Sequence, residues 1–430
     1  MRRAIYLRQM VYILLDATPI ITNDAVVIGL LMAALGLVFY TSGSQNPFFK
    51  GFYKYVPALL MCYMIPAVFN SFGLISSDIS KTYTIAKNYL LPTALILMTL
   101  SIDLKAVIKL GPKALIMFFT ATIGIIIGGP IALLIVGAIW PEAVAGAGPD
   151  AIWRGLSTLA GSWIGGGANQ AAMLEVYGYN QEKYGAMVLV DIVVANIWMA
   201  VILYGAGQSD RIDKWLKADT SAITHLKNKM QTFSEGIARN PSLRDLMMIL
   251  GVGFAATGIA HFVADNVSVW FQHVDPKQDS FLASDFFWLV VIATTLGLIL
   301  SFTKARNLEG AGASKIGSVF VYILVATIGM KMDIVQIFDK KNLGIILIGL
   351  IWMACHVGLL ILVAKWIKAP FFFLAVGSKA NVGGAASAPV VAAAFHTALA
   401  PVGVLLAVLG YALGTYGAIV CAQIMEIVAK

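Results

Sequence analysis

Two long apolar stretches of this chain are each interrupted by a short, glycine-rich polar run, one in each half. The first run reads GSWIGGGANQAAM over residues 161–173, and the second reads GSKANVGGAAS over residues 377–387. Glycine weakens a helix by about 1 kcal/mol relative to alanine, so both runs predict a break inside an apolar segment. Corresponding glycine breaks in the two halves of a membrane chain indicate the binding site of a secondary transporter.

The composition is that of a protein embedded in a lipid bilayer. The chain has 430 residues, of which 59% are hydrophobic and only 12% are charged. Soluble domains have about 25% charged residues, and many apolar runs here approach the length that crosses a membrane. The net charge of +8 is distributed over many loops, so a nucleic-acid partner is not predicted.

The apolar segments follow the same order in both halves, which indicates an internal duplication. The first half contains segments 25–41, 55–75, 88–103, 114–139, the glycine-interrupted 155–176, and 184–206. The second half contains segments 246–263, 286–302, 316–332, 343–364, the glycine-interrupted 371–396, and 401–425. We therefore divide the chain into an N-terminal segment 1–24, a first repeat 25–207, a cytoplasmic linker 208–245 and a second repeat 246–430.

The distribution of lysine and arginine decides between two topologies. If the glycine-interrupted segments cross the membrane, the two halves are parallel; if they are re-entrant hairpins, the second half is inverted. Basic loops favour the cytoplasm. The hairpin topology places loops 42–54, 103–113, 208–245, 303–315 and 365–370 inside, each with a net charge of +2. It leaves Arg2, Arg3, Arg8, Lys340 and Lys341 outside, which an interfacial helix over residues 1–20 would explain in part.

We therefore predict an all-α membrane protein built from two inverted repeats. Each repeat has about five transmembrane helices and one glycine-rich re-entrant helical hairpin. Non-helical backbone survives at membrane depth only where it is buried in protein or lines a cavity. Small side chains let the two hairpin tips approach each other, and helix N-termini at the tips present N–H groups to an anion. The predicted substrate-binding residues are Ser162, Gly165, Gly166, Gly167, Asn169, Gln170, Ser378, Lys379, Asn381, Gly383, Gly384 and Ser387. The alternative is that the small residues only permit close helix packing.

Asp191, Lys379 and His356 lie well inside apolar segments, whereas Glu175, just after the first tip, is expected to contact solvent. Asp191 is well within a predicted span, where an unpaired carboxylate is costly, so we predict that it and Asn196 bind the coupling ion. The alternative for Asp191 is a helix end that reaches water. Lys379 would pair with a substrate carboxylate or with Asp191, take the place of a bound sodium ion in a chain that uses none, or extend to the cytoplasmic surface. His356 is either a proton relay or a hydrogen-bonded structural residue.

The sequence resembles a known family in its two tips, GSWIGG with Asn169 and SKANVGGAASA, and in the run VLGYALGT at 408–415. That family is an uncharacterised, domain-of-unknown-function family of bacterial integral membrane proteins, and the resemblance covers most of the chain. More distantly, the chain is similar to sodium/glutamate and 2-hydroxycarboxylate symporters. These resemblances imply a multi-pass protein of the bacterial inner (cell) membrane. They also imply a homodimer in which a mobile domain carries the hairpins against a scaffold by an elevator-like mechanism.

The function predicted from these features is cation-coupled transport of a small organic anion, such as a carboxylate or an amino acid. Sodium is the first choice of cation and a proton is the second. No cofactor is predicted apart from a bound sodium ion. The alternatives are a cation/proton antiporter that uses Asp191, and a transporter of a cell-envelope fragment. We do not predict an enzyme, because the sequence has no HExxH zinc motif, P-loop or GxSxG elbow.

Overall fold

The computed structural model describes residues 19–76, 79–221, 223, 226, 240–274, 282, 284–332, 342–396 and 399–429. These residues form helices and connecting turns, with no strand among them, as predicted for an all-α membrane protein. Most of the predicted N-terminal segment and the central part of the predicted linker lie outside the described residues. The basic residues that the predicted topology leaves outside, at 2, 3, 8, 340 and 341, lie outside them too.

The helices of the first half follow the order of the predicted segments, with an additional helix in the predicted loop 42–54. They are α1 Asp24–Ser42, α2 Pro47–Tyr55, α3 Ala58–Ser71, α4 Thr82–Ile85, a π turn Ala86–Leu90, α5 Leu91–Leu100, α6 Leu104–Ile108, α7 Pro112–Ile139, α8 Pro141–Val144, a 3₁₀ turn Gly148–Asp150, α9 Ile152–Gly165, α10 Gly167–Tyr177 and α11 Tyr184–Ala206.

The second half repeats the order after a short helix in the linker. Its elements are α12 Ser209–Leu216, α13 Leu243–Val274, α14 Asp285–Ser301, a 3₁₀ helix Lys304–Ala311, α15 Ala313–Gly329, α16 Asn342–Trp366, α17 Phe371–Asn381, α18 Gly384–Phe395 and α19 Ala400–Val428.

Local signals in the sequence set several of these boundaries. The Asn23 side chain accepts from the backbone N–H of Ala25 and caps α1, and Ser284 caps α14 in the same way. Gly166, with φ of +78°, separates α9 from α10, and Gly383, with φ of +111°, separates α17 from α18. These left-handed conformations favour glycine, so both predicted helix breaks occur at a glycine of the predicted runs.

Six helices of the described part are long and apolar enough to cross a membrane, namely α1, α7, α11, α13, α16 and α19. The number rises to eight if α2 with α3, and α14 with the following 3₁₀ helix, each count as one bent span. The helix α7 exposes Ile116, Phe119, Ile123 and Ile127 along one face, although its opposite face is buried. Such an apolar exterior is expected where lipid is the solvent, and the chain is therefore a multi-pass membrane protein.

The helices pack as two groups, and each group takes elements from both halves of the sequence. The first group contains α1, the helices from α3 to α5 with the π turn, and α13, α14 and α15. The second group contains α7, α9, α10, α11, α16, α17, α18 and α19. The first three long segments of each half thus form one group, and the last three form the other. The two halves are interleaved in space.

The beginning of the linker is docked onto the second group. Asp213 of α12 accepts a hydrogen bond from the backbone N–H of Phe371 at 2.7 Å and so caps α17. Lys113, at the start of α7, forms an ion pair with Asp219 at 2.9 Å. Donation from Ser221 and from Lys113 lowers the pKa of Asp219 to about 2. These contacts place the N-terminal ends of α7 and α17 on the same side of the group.

Candidate functional site

Each glycine break produces a helical hairpin whose two outer ends lie together. At the base of the first hairpin, α9 and α10, the rings of Trp153 and Tyr177 are 5.5 Å apart. At the base of the second hairpin, α17 and α18, the rings of Phe371 and Phe395 are 5.8 Å apart. Each hairpin therefore returns to the side from which it started.

The long helix α19 shows how the two hairpins are placed. The Tyr177 hydroxyl, at the base of the first hairpin, donates to the Ile419 carbonyl at 3.3 Å. The second hairpin ends at Phe395, five residues before α19 begins at Ala400. A methyl group on Gly403 would lie 2.5 Å from the Ala388 carbonyl oxygen of α18. Residues 403 and 419 are about 24 Å apart along a helix. The two hairpin bases thus lie beside opposite ends of α19.

The two tips meet beside the middle of α19. A methyl group on Gly410 would lie 2.6 Å from the Ile164 carbonyl oxygen of the first tip and 3.4 Å from the Ala380 carbonyl oxygen of the second. One turn further along, a methyl on Gly414 would lie 2.5 Å from the Cα of Gly165. Only glycine permits these backbone contacts, so the small residues of the tips and of α19 bring the hairpins together.

Asn169 fastens the first tip to α19. Its amide group donates to the Gly165 carbonyl at 3.0 Å and to the Tyr411 carbonyl at 3.1 Å. Its carbonyl oxygen accepts from the Thr415 hydroxyl at 2.6 Å. Both N–H groups of this buried amide therefore have partners inside the protein.

Asn381 fastens the second tip to α7 with the same arrangement. Its amide group donates to the Gly377 carbonyl at 3.0 Å and to the Phe118 carbonyl at 3.3 Å. Its carbonyl oxygen accepts from the Thr122 hydroxyl at 2.8 Å. Since the hydrogen-bonding groups of both asparagines are used within the protein, we assign them to holding the tips in place.

Asp191, on α11, organises the first tip from the side. It is buried, and its carboxylate accepts from the Ser162 hydroxyl at 2.6 Å and from the Trp163 ring N–H at 2.7 Å. The Gln170 amide donates to it at 3.3 Å. The alternative that Asp191 reaches water at a helix end is wrong. Three of its roughly four lone-pair positions are occupied, which leaves room for one more partner.

His356, on α16, is part of a chain of hydrogen bonds that ends on the second tip. Its Nδ1 lies 3.0 Å from the Ala121 carbonyl oxygen, and its Nε2 lies 2.8 Å from the Ser378 hydroxyl. The Trp198 ring N–H donates to the same hydroxyl at 2.7 Å. A carbonyl only accepts, so Nδ1 carries a proton, and a neutral imidazole then accepts the Ser378 proton at Nε2. The polar side-chain atoms of His356, Ser378 and Trp198 therefore all have partners, as expected for a hydrogen-bonded structural histidine.

Lys379 is a buried cation beside the second break. It is 2% exposed, so the alternative that it extends to the cytoplasmic surface is wrong. Within the described part of the chain, its ammonium has one polar contact, the Ala195 carbonyl oxygen at 3.4 Å. A methyl group on Gly383 would lie 3.2 Å from this ammonium and would clash with the Ser387 hydroxyl. That hydroxyl oxygen is buried without a hydrogen-bond partner among the described residues. The two polar groups therefore flank the start of α18, which has no capping side chain.

The remaining predicted tip residues form the breaks themselves. Gly166 makes the turn of the first hairpin, and Gly167 begins α10. Gly384, with φ of +56°, begins α18. Their role in the described structure is to let the backbone turn and expose helix N-termini at the meeting point of the tips.

Asn196 does not join the other predicted residues. It is exposed on α11, and its amide donates to the Ile192 carbonyl of its own helix at 2.8 Å. The prediction that it binds the coupling ion together with Asp191 does not agree with this placement. Sequence reasoning missed Trp163, Trp198, Thr122 and Thr415, because each lies in an apolar segment whose polar partner is known only after the helices pack.

Comparison with known proteins places the chain in a family. The model of a family described as "Protein of unknown function (DUF819)" matches residues 29–428. The chain belongs to this family, which confirms the resemblance predicted from the glycine-rich runs. It is also 22% identical over 360 residues to the "Uncharacterized membrane protein YjcL" of Bacillus subtilis (strain 168). That match covers 81% of this chain and 85% of the relative.

Proposed function

We propose that this member of the DUF819 family is a secondary transporter that carries a small organic anion, such as a carboxylate or an amino acid, together with a cation. Lys379 is the main reason. Its buried ammonium lies beside the tips with a single 3.4 Å contact to a carbonyl. Asp191 acts on this charge but forms no ion pair with it, so an anionic ligand would supply the direct partner that a buried charge needs.

The groups around Lys379 fit a carboxylate. The ammonium provides charge, the unpartnered Ser387 hydroxyl provides a donor, and the uncapped N-terminus of α18 provides backbone N–H groups. Carboxylates form their strongest hydrogen bonds with charged donors and are stabilised further by helix N-termini. An antiporter that moves only cations would leave Lys379 without a ligand, so the anion carrier is the better explanation of this site.

The placement of the hairpins supports re-entrant segments in inverted halves. The helix α19 has 29 residues, or about 43 Å, which is enough to cross a membrane. The hairpin bases lie beside its opposite ends and the tips lie beside its middle. In the proposed topology, each hairpin enters from a different side and stops near the bilayer centre, with about ten crossings elsewhere. Hairpins that enter from opposite sides require halves of opposite orientation.

Basic residues suggest which side of the membrane is the cytoplasm. Lys113 lies 3.3 Å from the Lys368 carbonyl oxygen, and Lys365 lies over the ring of Trp215. These lysines surround the base of the second hairpin. By the positive-inside rule this base faces the cytoplasm, and the base of the first hairpin faces the other side. In a bacterium this would be the inner membrane.

The two helix groups support an elevator-like mechanism. Both hairpins belong to the second group, so the site between their tips would move as one body. In the proposal, the second group slides past the first and exposes the site to each side in turn. The first group would form the scaffold and the homodimer contact.

The coupling cation is sodium or, as the second choice, a proton. Three of the roughly four lone-pair positions of the Asp191 carboxylate are used, so one is available in this proposal to a hard cation such as sodium, which prefers oxygen ligands. The negative charge of Asp191 also acts on Lys379 across the tips. The proposed site thus contains one fixed anion and one fixed cation that are not in direct contact, which leaves each of them available to an ion of opposite charge.

The proposal is tested by the thermal stability of the purified protein in detergent. Small carboxylates and amino acids are screened in sodium, lithium or potassium and over a range of pH. A ligand present at 100 times its Kd stabilises the folded state by about 2.7 kcal/mol, and we expect one class of acid to do so in a cation-dependent manner.

Lys379→Met is the variant that examines the site itself. It should fold, because it removes a buried charge with one weak contact, and it should lose the stabilisation by acids. The Asn196→Ser variant on the exposed face of α11 is the matched control and should keep it. If no acid stabilises the wild type, or if Lys379→Met responds as the wild type does, the proposed anion site is wrong. A response to monovalent cations alone would favour the antiporter, and a response only to larger cell-envelope fragments would change the substrate class.

A further inference from the structure

A second buried carboxylate lies at the boundary between the two helix groups. Glu175, near the end of α10, has a side chain that is 4% exposed. Its carboxylate forms an ion pair with Lys87 at 2.7 Å and accepts from the Gln181 amide at 2.9 Å. The Tyr83 hydroxyl donates to the same carboxylate. Sequence reasoning did not identify Glu175, because its position just after the first tip predicted contact with solvent.

The partners of Glu175 come from the other helix group. Tyr83 lies on α4, and Lys87 lies in the π turn that joins α4 to α5. A π turn is rare and often occurs at functional positions, and here it carries the cation that meets Glu175. The Lys331 ammonium, just after α15, lies 4.1 Å from the centre of the Tyr83 ring and adds a second positive charge.

Two other carboxylates of the described residues, the buried Asp191 and the half-buried Glu309, have their hydrogen-bond donors within one helix group. Asp191 accepts only from residues of the second group, all on the first hairpin. Glu309 lies in the 3₁₀ helix Lys304–Ala311, which packs on α13, α14 and α15 of the first group. It accepts from Ser101, just after α5, at 2.5 Å and from Ser314 of α15 at 2.6 Å. If the groups slide past each other, these two carboxylates keep their hydrogen bonds. Glu175 does not, because its cation stays behind.

We propose that Glu175 is the residue at which a proton couples to the movement of the second helix group. This inference rests on the movement proposed above and, of the two coupling cations considered there, selects the proton. When the groups separate, Glu175 loses Lys87 and Tyr83. A carboxylate left in an apolar boundary without a counter-charge binds a proton instead of remaining ionised. One proton from water adds to the carboxylate to give a neutral carboxylic acid, and no other bond changes.

The charged groups around the pair are consistent with this exchange. Lys331 and the Tyr184 hydroxyl face Glu175, and Asp285 acts on Lys87. The Lys87 side chain is 28% exposed, so its ammonium can be hydrated after the pair separates. The paired state therefore requires ionised Glu175, and the separated state requires protonated Glu175. Acidic conditions should favour separation and alkaline conditions should favour pairing.

The test measures the distance between the two groups and needs no substrate. Spin labels are placed at Met247 on α13 and at Ile197 on α11, two exposed positions on different groups, after the three native cysteines are replaced. Distances are measured by electron–electron double resonance. The protein is held in phosphatidylethanolamine–phosphatidylglycerol vesicles from about pH 5 to about pH 9, a range that includes carboxyl groups whose pKa is raised by burial.

We expect two distance populations in the wild type, with a proportion that depends on pH. Glu175→Gln mimics the protonated acid and should show the acidic population at every pH. Lys87→Gln should move the midpoint upward by about one to three pH units, because a nearby cation lowers a carboxyl pKa by that amount. Lys87→Arg should behave as the wild type. Glu309→Gln is the matched control and should also respond as the wild type.

Two results would overturn the inference alone. Glu175→Gln that follows the pH response of the wild type would remove Glu175 from coupling. If Glu175→Gln does not fold, Lys87→Gln decides the question. A pH midpoint for Lys87→Gln that is unchanged or lower than that of the wild type would also remove Glu175 from coupling. If the wild type shows one population at every pH although acids stabilise it in the melting test, the inference fails and the transporter proposal stands. If acids do not bind either, both fail.

Discussion

Asn169 follows the break in its hairpin, whereas Asn381 precedes the break in its own. Each nevertheless donates to the carbonyl four residues earlier and to a carbonyl of a long neighbouring helix. Each also accepts from a threonine one turn along that helix. A broken helix leaves backbone groups at its two new ends, and these amides tie each break to an unbroken helix. The same solution at both tips is consistent with a duplicated origin.

Replacing either asparagine with leucine should destabilise the protein to a similar extent. Asn169→Leu and Asn381→Leu each remove three hydrogen bonds and leave buried polar groups unpaired, so each should lower the free energy of unfolding by about 1–3 kcal/mol. Asn196→Leu is the control, since this exposed amide donates to its own helix and to no other described residue. Its effect should stay within about 0.5 kcal/mol. Denaturation in a mild detergent measures all three. Equal effects at the three positions would contradict the assigned roles.

At the scale of single residues, the sequence predicts which residues matter better than it predicts their partners. Asp191 and the polar residues of the tips are conspicuous because charge and glycine are rare in apolar segments. Asn196 is five residues from Asp191, about 140° around the helix, and the structure places it on the outside. Whether Lys379 is buried or reaches the surface depends on the depth of the tip, which no local pattern specifies.

At the scale of elements, helix breaks are encoded locally and irregular turns are not. The predicted segments 155–176 and 371–396 coincide with the two hairpins, because glycine disfavours helix at the turn whatever surrounds it. The π turn at Ala86–Leu90 has no such signal. It joins α4 to α5, so the helical segment begins at Thr82 and not at residue 88 as predicted. The docking of α12 on the second group is also absent from the prediction of a plain linker. Its one buried residue, Leu216, is too little to reveal it.

Close packing of the first hairpin against α19 can be tested with a matched pair of glycines. Gly414→Ala places a methyl group 2.5 Å from the Cα of Gly165, so we expect a loss of about 1–3 kcal/mol in the free energy of unfolding. Gly358→Ala on α16 meets no atom within 4 Å and should stabilise its helix by up to about 1 kcal/mol. Melting temperatures compare the two variants with the wild type. The packing of the tips is not as described if both changes act in the same direction.

At the scale of the whole molecule, the duplicated order of segments could be predicted, but the grouping of helices could not. Six segments in the same order are visible in each half as a hydropathy pattern. Which of them pack together depends on contacts between residues more than 200 positions apart, such as Asn169 with Tyr411 and Thr122 with Asn381. Such long-range contacts assemble the second group, which contains both hairpins, and the first group contains neither of them. The coupling assigned to Glu175 follows from that separation and had no signal in the sequence.

Transport itself is tested most directly by uptake into proteoliposomes. The acid that stabilises the purified protein is supplied in labelled form outside vesicles with an inward sodium gradient, an inward proton gradient, or neither. We predict accumulation above the equilibrium level with one of the two gradients, its loss when the gradient is dissipated, and its absence with Lys379→Met. Binding of the acid without accumulation under any gradient would contradict the account, because the tips would then form a receptor site and not a carrier.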